Sequence, residues 1–215
     1  MYPFSCWLAE DLKALFPGPH RCFYEYPPGA AEVRNGHEFV YRIMEEEGPF
    51  DGILGLSHGA ELAASVLIEH AKRHPARPPS DLFKCAIFIG GVHPYEVYTP
   101  DVTLSRQELS ASGDSNQHIE STGAKQDGDQ IIGERIRQVH PDTHSVRIDI
   151  PTAHIMGRRD EIFRQCAKLL LRLCNERKAK VYEHKGGHLI PRGQSAMDEM
   201  TAAVGWVIDR VIFER

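Results

Sequence analysis

Residues 51–72 hold the feature that most restricts the fold. An apolar run passes through a glycine-flanked serine directly into a helix-period segment. Asp51-Gly52-Ile53-Leu54-Gly55-Leu56 reads as a buried strand, and residues 60–72 put Leu62, Ala63, Val66 and Leu67 on one helical face. The pattern then repeats. Residues 83–89 form a second apolar run ended by Gly90-Gly91, and residues 151–157 read as a third strand. A helix follows with Ile162, Phe163, Cys166, Leu169, Leu170 and Leu173. Residues 180–183 give a last short strand, and residues 197–213 a closing helix. Short apolar strands alternating with helices of ten or more residues imply an α/β fold, with a mostly parallel sheet covered on both faces.

Upstream, Trp7, Leu8, Leu12, Leu15 and Phe16 recur at helical spacing until Pro17-Gly18-Pro19. Cys22-Phe23-Tyr24-Glu25-Tyr26 reads as a short strand closed by Pro27-Pro28-Gly29. A second helix carries Phe39, Val40, Ile43 and Met44 and ends at Gly48-Pro49. Residues 101–130 are nearly free of apolar side chains and read as an insertion, either a lid or a disordered loop, within one domain spanning residues 1–215.

Composition narrows the function classes. A formal net charge of −5 argues against a general nucleic-acid binder. The five cysteines, Cys6, Cys22, Cys85, Cys166 and Cys174, form no CxxC pair and read as buried thiols of a reducing compartment. No run approaches the ~18 apolar residues of a membrane span. The first residues lack the basic start and apolar stretch of a secretory signal. The expectation is a cytoplasmic protein with no membrane partner.

Gly55-Leu56-Ser57-His58-Gly59 carries the chemistry. A nucleophilic serine benefits from a sharp strand-to-helix turn that lifts its hydroxyl above the sheet edge, and glycines leave room for that turn. The N–H of His58, the residue after the serine, is then placed to bind an oxyanion. Chance yields such a pentapeptide in roughly one chain in thirteen of this composition, so the preceding strand and following helix supply most of its weight.

A serine needs a base, and the base an orienting acid. In the order that accompanies a glycine-flanked serine between strand and helix, the acid and then the histidine each follow a later strand. After residues 151–157 come Arg158-Arg159-Asp160-Glu161, where Asp160 is the candidate acid and Glu161 the helix starter. An acidic residue in a first helical turn is common in any case. After residues 180–183 come His184-Lys185-Gly186-Gly187-His188, where two glycines let the loop turn back. His188 is the candidate base and His184 a structural residue. His140/His144 and His184/His188 have the spacing of helical zinc ligands, but Pro141 and Gly186-Gly187 oppose a regular helix there. Neither metal nor cofactor is expected, and no nucleotide-binding glycine motif occurs.

Together these residues resemble the fungal family of small serine hydrolases of the FSH type, which includes esterases and polyketide-releasing thioesterases. The resemblance runs through Gly48-Pro49-Phe50-Asp51-Gly52, the Gly55–Gly59 turn, Gly90-Gly91, His154-x-x-Gly157-x-x-Asp160 and Gly187-His188-x-x-Pro191. It implies an α/β-hydrolase-like three-layer fold and a triad of Ser57, Asp160 and His188. The implied substrate is a small-molecule acyl ester or thioester, including a polyketide held on a carrier protein, in secondary metabolism. Lactone hydrolysis on the same fold is a further option. Family members normally open with a strand ending in a His-Gly loop, which supplies a second oxyanion donor. No His-Gly pair precedes His58-Gly59, and the stretch between Tyr26 and Phe39 is shorter than in the family. The resemblance therefore implies an N-terminally truncated member lacking the first strand and oxyanion loop. A truncated, catalytically impaired binding protein is the alternative.

Overall fold

The computed structural model describes residues 22–100 and 133–213. Gly29 donates its N–H to Glu32 Oε2 at 2.8 Å, which starts helix α1 (Ala30–Glu47) well before the first apolar residues of its pattern. Strand β1 (Gly52–Leu56) feeds helix α2 (His58–Arg73) through Ser57 alone. Strand β2 (Cys85–Ile89) is followed by β3 (Tyr95–Tyr98), β4 (Arg135–Gln138) and β5 (Thr152–Gly157). Helix α3 (Arg164–Arg172), strand β6 (Ala179–His184) and helix α4 (Gln194–Phe213) complete the order.

Strands β1, β2, β5 and β6 pair as a parallel sheet in the order β1-β2-β5-β6. In register, Leu56 lies opposite Ile89, Ile89 opposite Ile155, and Gly157 opposite His184. All strands point the same way, so the residues after β1, β2, β5 and β6 emerge along one edge of the sheet. Every residue of β5 is buried, as a central parallel strand requires. One face of the sheet buries Leu62, Val66, Phe88, Leu170 and Leu173 together with Tyr24 and Val33. The other buries Ile89, Ala153 and Ile155 against Ala203 and Val207 of α4. Each large apolar side chain fully buried this way contributes about 1.5–3 kcal/mol.

Several expectations need correction. Residues 22–26 form no strand; the segment bends, and Tyr24 packs into the core against Gly36 and Leu62. Strand β1 is not buried, because among the described residues it is an edge strand, with Leu54 60% and Leu56 44% exposed. Helix α4 lies across β6, β5 and β2 and leaves that side of β1 bare, so the sheet is covered on both faces only in part. An apolar run reports that a strand is fit for burial, not whether a neighbour covers it. The thiols also divide: Cys85 and Cys174 are buried, whereas Cys22 and Cys166 are half-buried.

The antiparallel pair β3–β4 was not foreseen. Tyr95 lies opposite Gln138 and Tyr98 opposite Arg135, so this ladder brackets the polar stretch. The expected helix around residues 7–16, the residues 101–130 insertion, Cys6, and the expectation about the first strand and its loop all lie outside the described residues. Among the described residues, no helix is long and apolar enough to cross a membrane.

Candidate active site

Ser57 is the turn between β1 and α2, with φ 52° and ψ −115°, and it is the one non-glycine residue with positive φ among the described residues. Such backbone is strained for an L-residue and persists only where surrounding bonds hold it. The Ser57 N–H donates to the Ile89 carbonyl at 2.8 Å, and its own carbonyl accepts from Ala60 and Glu61 N–H at 2.9 and 3.1 Å. A β-carbon at Gly55 would meet the Gly59 carbonyl and Ala60 nitrogen at 2.4 Å, so that glycine is required by space. Gly59 differs: nothing lies within 4 Å of its hypothetical β-carbon, and crowding does not explain it.

Asp160 and His188 sit on the loops after β5 and β6, and the backbone ties these loops together. Arg158 N–H donates to the His184 carbonyl at 2.8 Å and Arg159 N–H to the Gly186 carbonyl at 2.9 Å. Asp160 Oδ2 lies 2.6 Å from His188 Nδ1, while Oδ1 accepts from the Phe163 N–H at 2.9 Å. The acid therefore closes the turn ahead of α3 with one oxygen and faces the imidazole with the other. Its side chain is 4% exposed and so shielded from water, whereas that of His188 is 27% exposed. His188 Nε2 lies 2.7 Å from Ser57 Oγ. With Nδ1 protonated and donating to Asp160, the Nε2 lone pair faces the serine hydroxyl. The three sequence-selected residues thus meet at one sheet edge.

Two further residues fix the imidazole. Phe163 packs against it with centroids 4.6 Å apart. Gly90, at φ +55°, lies so close that a β-carbon there would be 2.9 Å from His188 Cε1. The Gly90-Gly91 strand end was visible in the sequence, but its service to His188 was not. His58 opens α2 and so has no intrahelical acceptor for its N–H, which suits an oxyanion donor. Burial lowers its imidazole pKa to about 4, leaving the ring neutral at ordinary pH. His184 ends β6, buried, with Nδ1 accepting from Gly186 N–H at 3.1 Å, the structural role expected of it. Glu161 lies in the turn ahead of α3 rather than in the helix.

A second serine–histidine–carboxylate arrangement went unnoticed in the sequence. His37 Nε2 lies 2.6 Å from Ser65 Oγ, and His37 Nδ1 lies 2.9 Å from Glu69 Oε2. Ser65 and His37 are each 1% exposed, and the Ser65 hydroxyl donates to the Tyr95 carbonyl. Sealed from solvent with its proton committed, Ser65 holds α1, α2 and β3 together and has no path to a substrate. Hollows on the described surface lie away from Ser57 in two places. One, of about 160 Å³, lies among Arg34, Glu69, Lys72 and Glu96. The other, of about 810 Å³, runs behind the His188 loop along Tyr182, Leu189 and Glu199. Neither takes in Ser57.

A family model described as Serine hydrolase (FSH1) matches residues 4–200. Esterase FPY3 of Fusarium mangiferae is 30% identical over 205 residues, covering 95% of this chain and 78% of its own length. Esterase alnB of Emericella nidulans is 27% identical over 241 residues, with 95% and 82% covered. Hydrolase phiM of Talaromyces stipitatus is 27% identical over 198 residues; the alignment takes 87% of this chain but spans only 64% of phiM. Among solved structures, mouse alpha/beta hydrolase domain-containing protein 10 aligns at a TM-score of 0.48 and 13% identity, over 83% of this chain and 70% of that one, too loose a likeness to argue from. The match over residues 4–200 makes this chain a member of the FSH1 serine hydrolase family.

Proposed function

We propose that the protein is a serine esterase or thioesterase acting through an acyl-enzyme on Ser57, with His188 as general base and Asp160 as its orienting acid. The observation that supports this reading is the pair of short contacts, Asp160 to His188 at 2.6 Å and His188 to Ser57 at 2.7 Å. A general base has to lie within about 2.6–3.2 Å of the proton it removes.

In the proposed reaction Ser57 Oγ attacks the acyl carbon while its proton passes to His188 Nε2. Asp160 stabilises the resulting imidazolium. The carbonyl oxygen becomes an oxyanion, which the His58 N–H at the start of α2 receives, aided by the positive end of the helix. Collapse of the adduct breaks the bond to the alcohol or thiol, which leaves with the proton from His188. Water then attacks the acyl-serine by the same route, releasing the carboxylic acid and restoring Ser57.

An ester or thioester of a small molecule is the substrate class this chemistry suits, and relatives named esterase fit it. A place in fungal secondary metabolism, with the acyl group carried on a protein, follows from the family resemblance and forms part of the proposal. A fluorophosphonate probe tests the core of it. Folded wild-type protein should label and Ser57→Ala should not. Folded wild-type protein that fails to label would overturn the enzyme reading and favour a binding protein. Labelling that persists in Ser57→Ala would overturn the assignment of the nucleophile.

A further inference from the structure

Glu61 lies one helical turn beyond Ser57 on α2 and is fully buried. Its two carboxyl oxygens are both taken by phenols. Tyr24 Oη donates to Oε1 at 2.6 Å, and Tyr26 Oη donates to Oε2. Among the described residues no lysine, arginine or histidine forms an ion pair with it. A buried carboxyl held only by neutral donors is expensive, and an apolar residue would fill the same space at lower cost.

The two tyrosines differ in what they do with this anchor. Tyr24 is 1% exposed, its ring set edge-on against His58 at 4.4 Å. Tyr26 is 53% exposed, although its hydroxyl is tied inward to Glu61. The Tyr26 ring lies 5.4 Å from the imidazole of His58, the residue after Ser57, and 6.4 Å from the ring of Tyr95. The Cys166 thiol on α3 interacts electrostatically with Asp160, Tyr26 and Tyr95. Through its contact with His58, the Tyr26 ring lies against the residue that follows Ser57 rather than on some remote surface.

We propose that Glu61 is a positioning residue that holds Tyr26 as an aromatic platform beside Ser57, and that this platform selects substrates with a planar, conjugated acyl group. The proposal rests on Ser57 being the nucleophile. A flat π-system stacks on a fixed ring with a gain of about 0.5–1.5 kcal/mol beyond area burial, whereas a saturated chain gains no such term.

The tether is pH-sensitive in a defined direction. Burial raises the Glu61 carboxyl to about 7, against the pull of its two tyrosine hydrogen bonds. Above that value the carboxylate accepts both phenols in charge-assisted bonds, which are roughly twice as strong as neutral ones. Below it one oxygen carries a proton and becomes a poor acceptor, so one phenol loses its charge-assisted bond. Tyr24 is sealed, whereas Tyr26 has water to receive its proton, so Tyr26 loosens. The other groups facing Glu61 are Tyr24 and Tyr26 from the segment before α1, Tyr95 from β3 and Cys166 from α3, with His58 on α2 itself. Burial pushes the three tyrosines and Cys166 upward and His58 down to about 4, so Glu61 is the member that titrates between pH 6 and 8.

Steady-state hydrolysis of methyl cinnamate and methyl hexanoate tests this, because titrations common to both esters cancel in the ratio of their kcat/KM values. In wild type the cinnamate/hexanoate ratio should fall about threefold between pH 8 and pH 6, the change residing in the cinnamate KM and not in kcat. Tyr26→Ala should lower the ratio at pH 8 by about 3–10-fold, the range expected for one lost ring contact. Glu61→Gln and Tyr26→Phe should each make the ratio independent of pH. A ratio unmoved in Tyr26→Ala, or a Glu61→Gln profile that follows wild type, would overturn the proposal. An independent arm uses folded Ser57→Ala protein with ¹³C-labelled tyrosine. The Tyr26 resonance, identified by its loss in Tyr26→Phe, should titrate near pH 7, cease to do so in Glu61→Gln, and shift with added methyl cinnamate. A resonance that neither titrates nor responds to cinnamate would overturn the platform whether or not Ser57 is the nucleophile. Failure of both esters to turn over, with the resonance behaving as stated, would count against the Ser57 reading alone.

Discussion

Replacing Gly90 by alanine separates the geometry of the imidazole from its mere presence. The alanine β-carbon would stand 2.9 Å from His188 Cε1, closer than side-chain carbons settle, so the ring has to yield by about half an ångström. A misplacement of 1 Å in a catalytic constellation costs about 10²-fold, so about half that displacement should slow fluorophosphonate labelling roughly tenfold. The same residue sits at φ +55°, where an L-side chain costs roughly 1–2 kcal/mol. For a chain of this size that lowers Tm by about 2–8 °C. Gly59→Ala, in the first turn of α2, is the matched glycine-to-alanine control. Its β-carbon enters open space within a helix, where alanine gains roughly 0.5–1 kcal/mol over glycine. Labelling rates and thermal unfolding of the two variants check the reasoning side by side. If Gly90→Ala, properly folded, labels as fast as wild type, the 2.9 Å approach does not govern the imidazole and the argument fails.

Other consequences are as direct. Asp160→Asn keeps an acceptor for the Phe163 N–H but no longer holds the His188 tautomer, so kcat should fall by about 10⁴ with little change in Tm; a loss under tenfold would contradict the role proposed for Asp160. Ser65→Ala strands His37 and the Tyr95 carbonyl, so urea unfolding should show a loss of about 1–3 kcal/mol while probe labelling continues. Loss of labelling in a folded Ser65→Ala protein would point to the wrong serine. His154, wholly buried in β5 with its pKa lowered to about 3, gives a pH dependence of fixed sign. Its folded value lies below the ordinary 6.5, so the unfolded chain takes up the proton first as pH falls. Stability is then lost from about pH 6.5 downward, by up to about 1.4 kcal/mol per pH unit for this one group. His154→Leu should flatten the acid limb of Tm against pH, and an unchanged limb would refute the assignment.

Much of the site was legible in the chain because its parts obey local rules. A strand that enters a helix through Gly55-Leu56-Ser57 leaves the backbone few ways to turn, and the order serine, acid, histidine is the one the family resemblance implies. Asp160 and His188 could be chosen because each closely follows a strand and because Gly186-Gly187 frees the second loop. Other features carried no local signature. Tyr24 and Tyr26 alternate as strand residues do, yet both hydroxyls turn to a carboxylate some thirty-five residues away, and no periodicity encodes that contact. The β3–β4 ladder escaped notice for the same reason, since each half is four residues long and the partner lies far along the chain.

The sequence alone determined the four runs that became β1, β2, β5 and β6 and which residue types stand at their ends, because φ/ψ preferences and apolar periodicity act within a few residues. The tertiary structure decided what those ends meet. Parallel pairing brought the ends of β1, β5 and β6 to one edge, and Gly90, from the neighbouring end of β2, set the space left for His188. It also left one face of β1 bare among the described residues and made one serine–histidine–carboxylate relay accessible while sealing another. Exposure and convergence depend on packing between distant segments, which no short stretch of chain records.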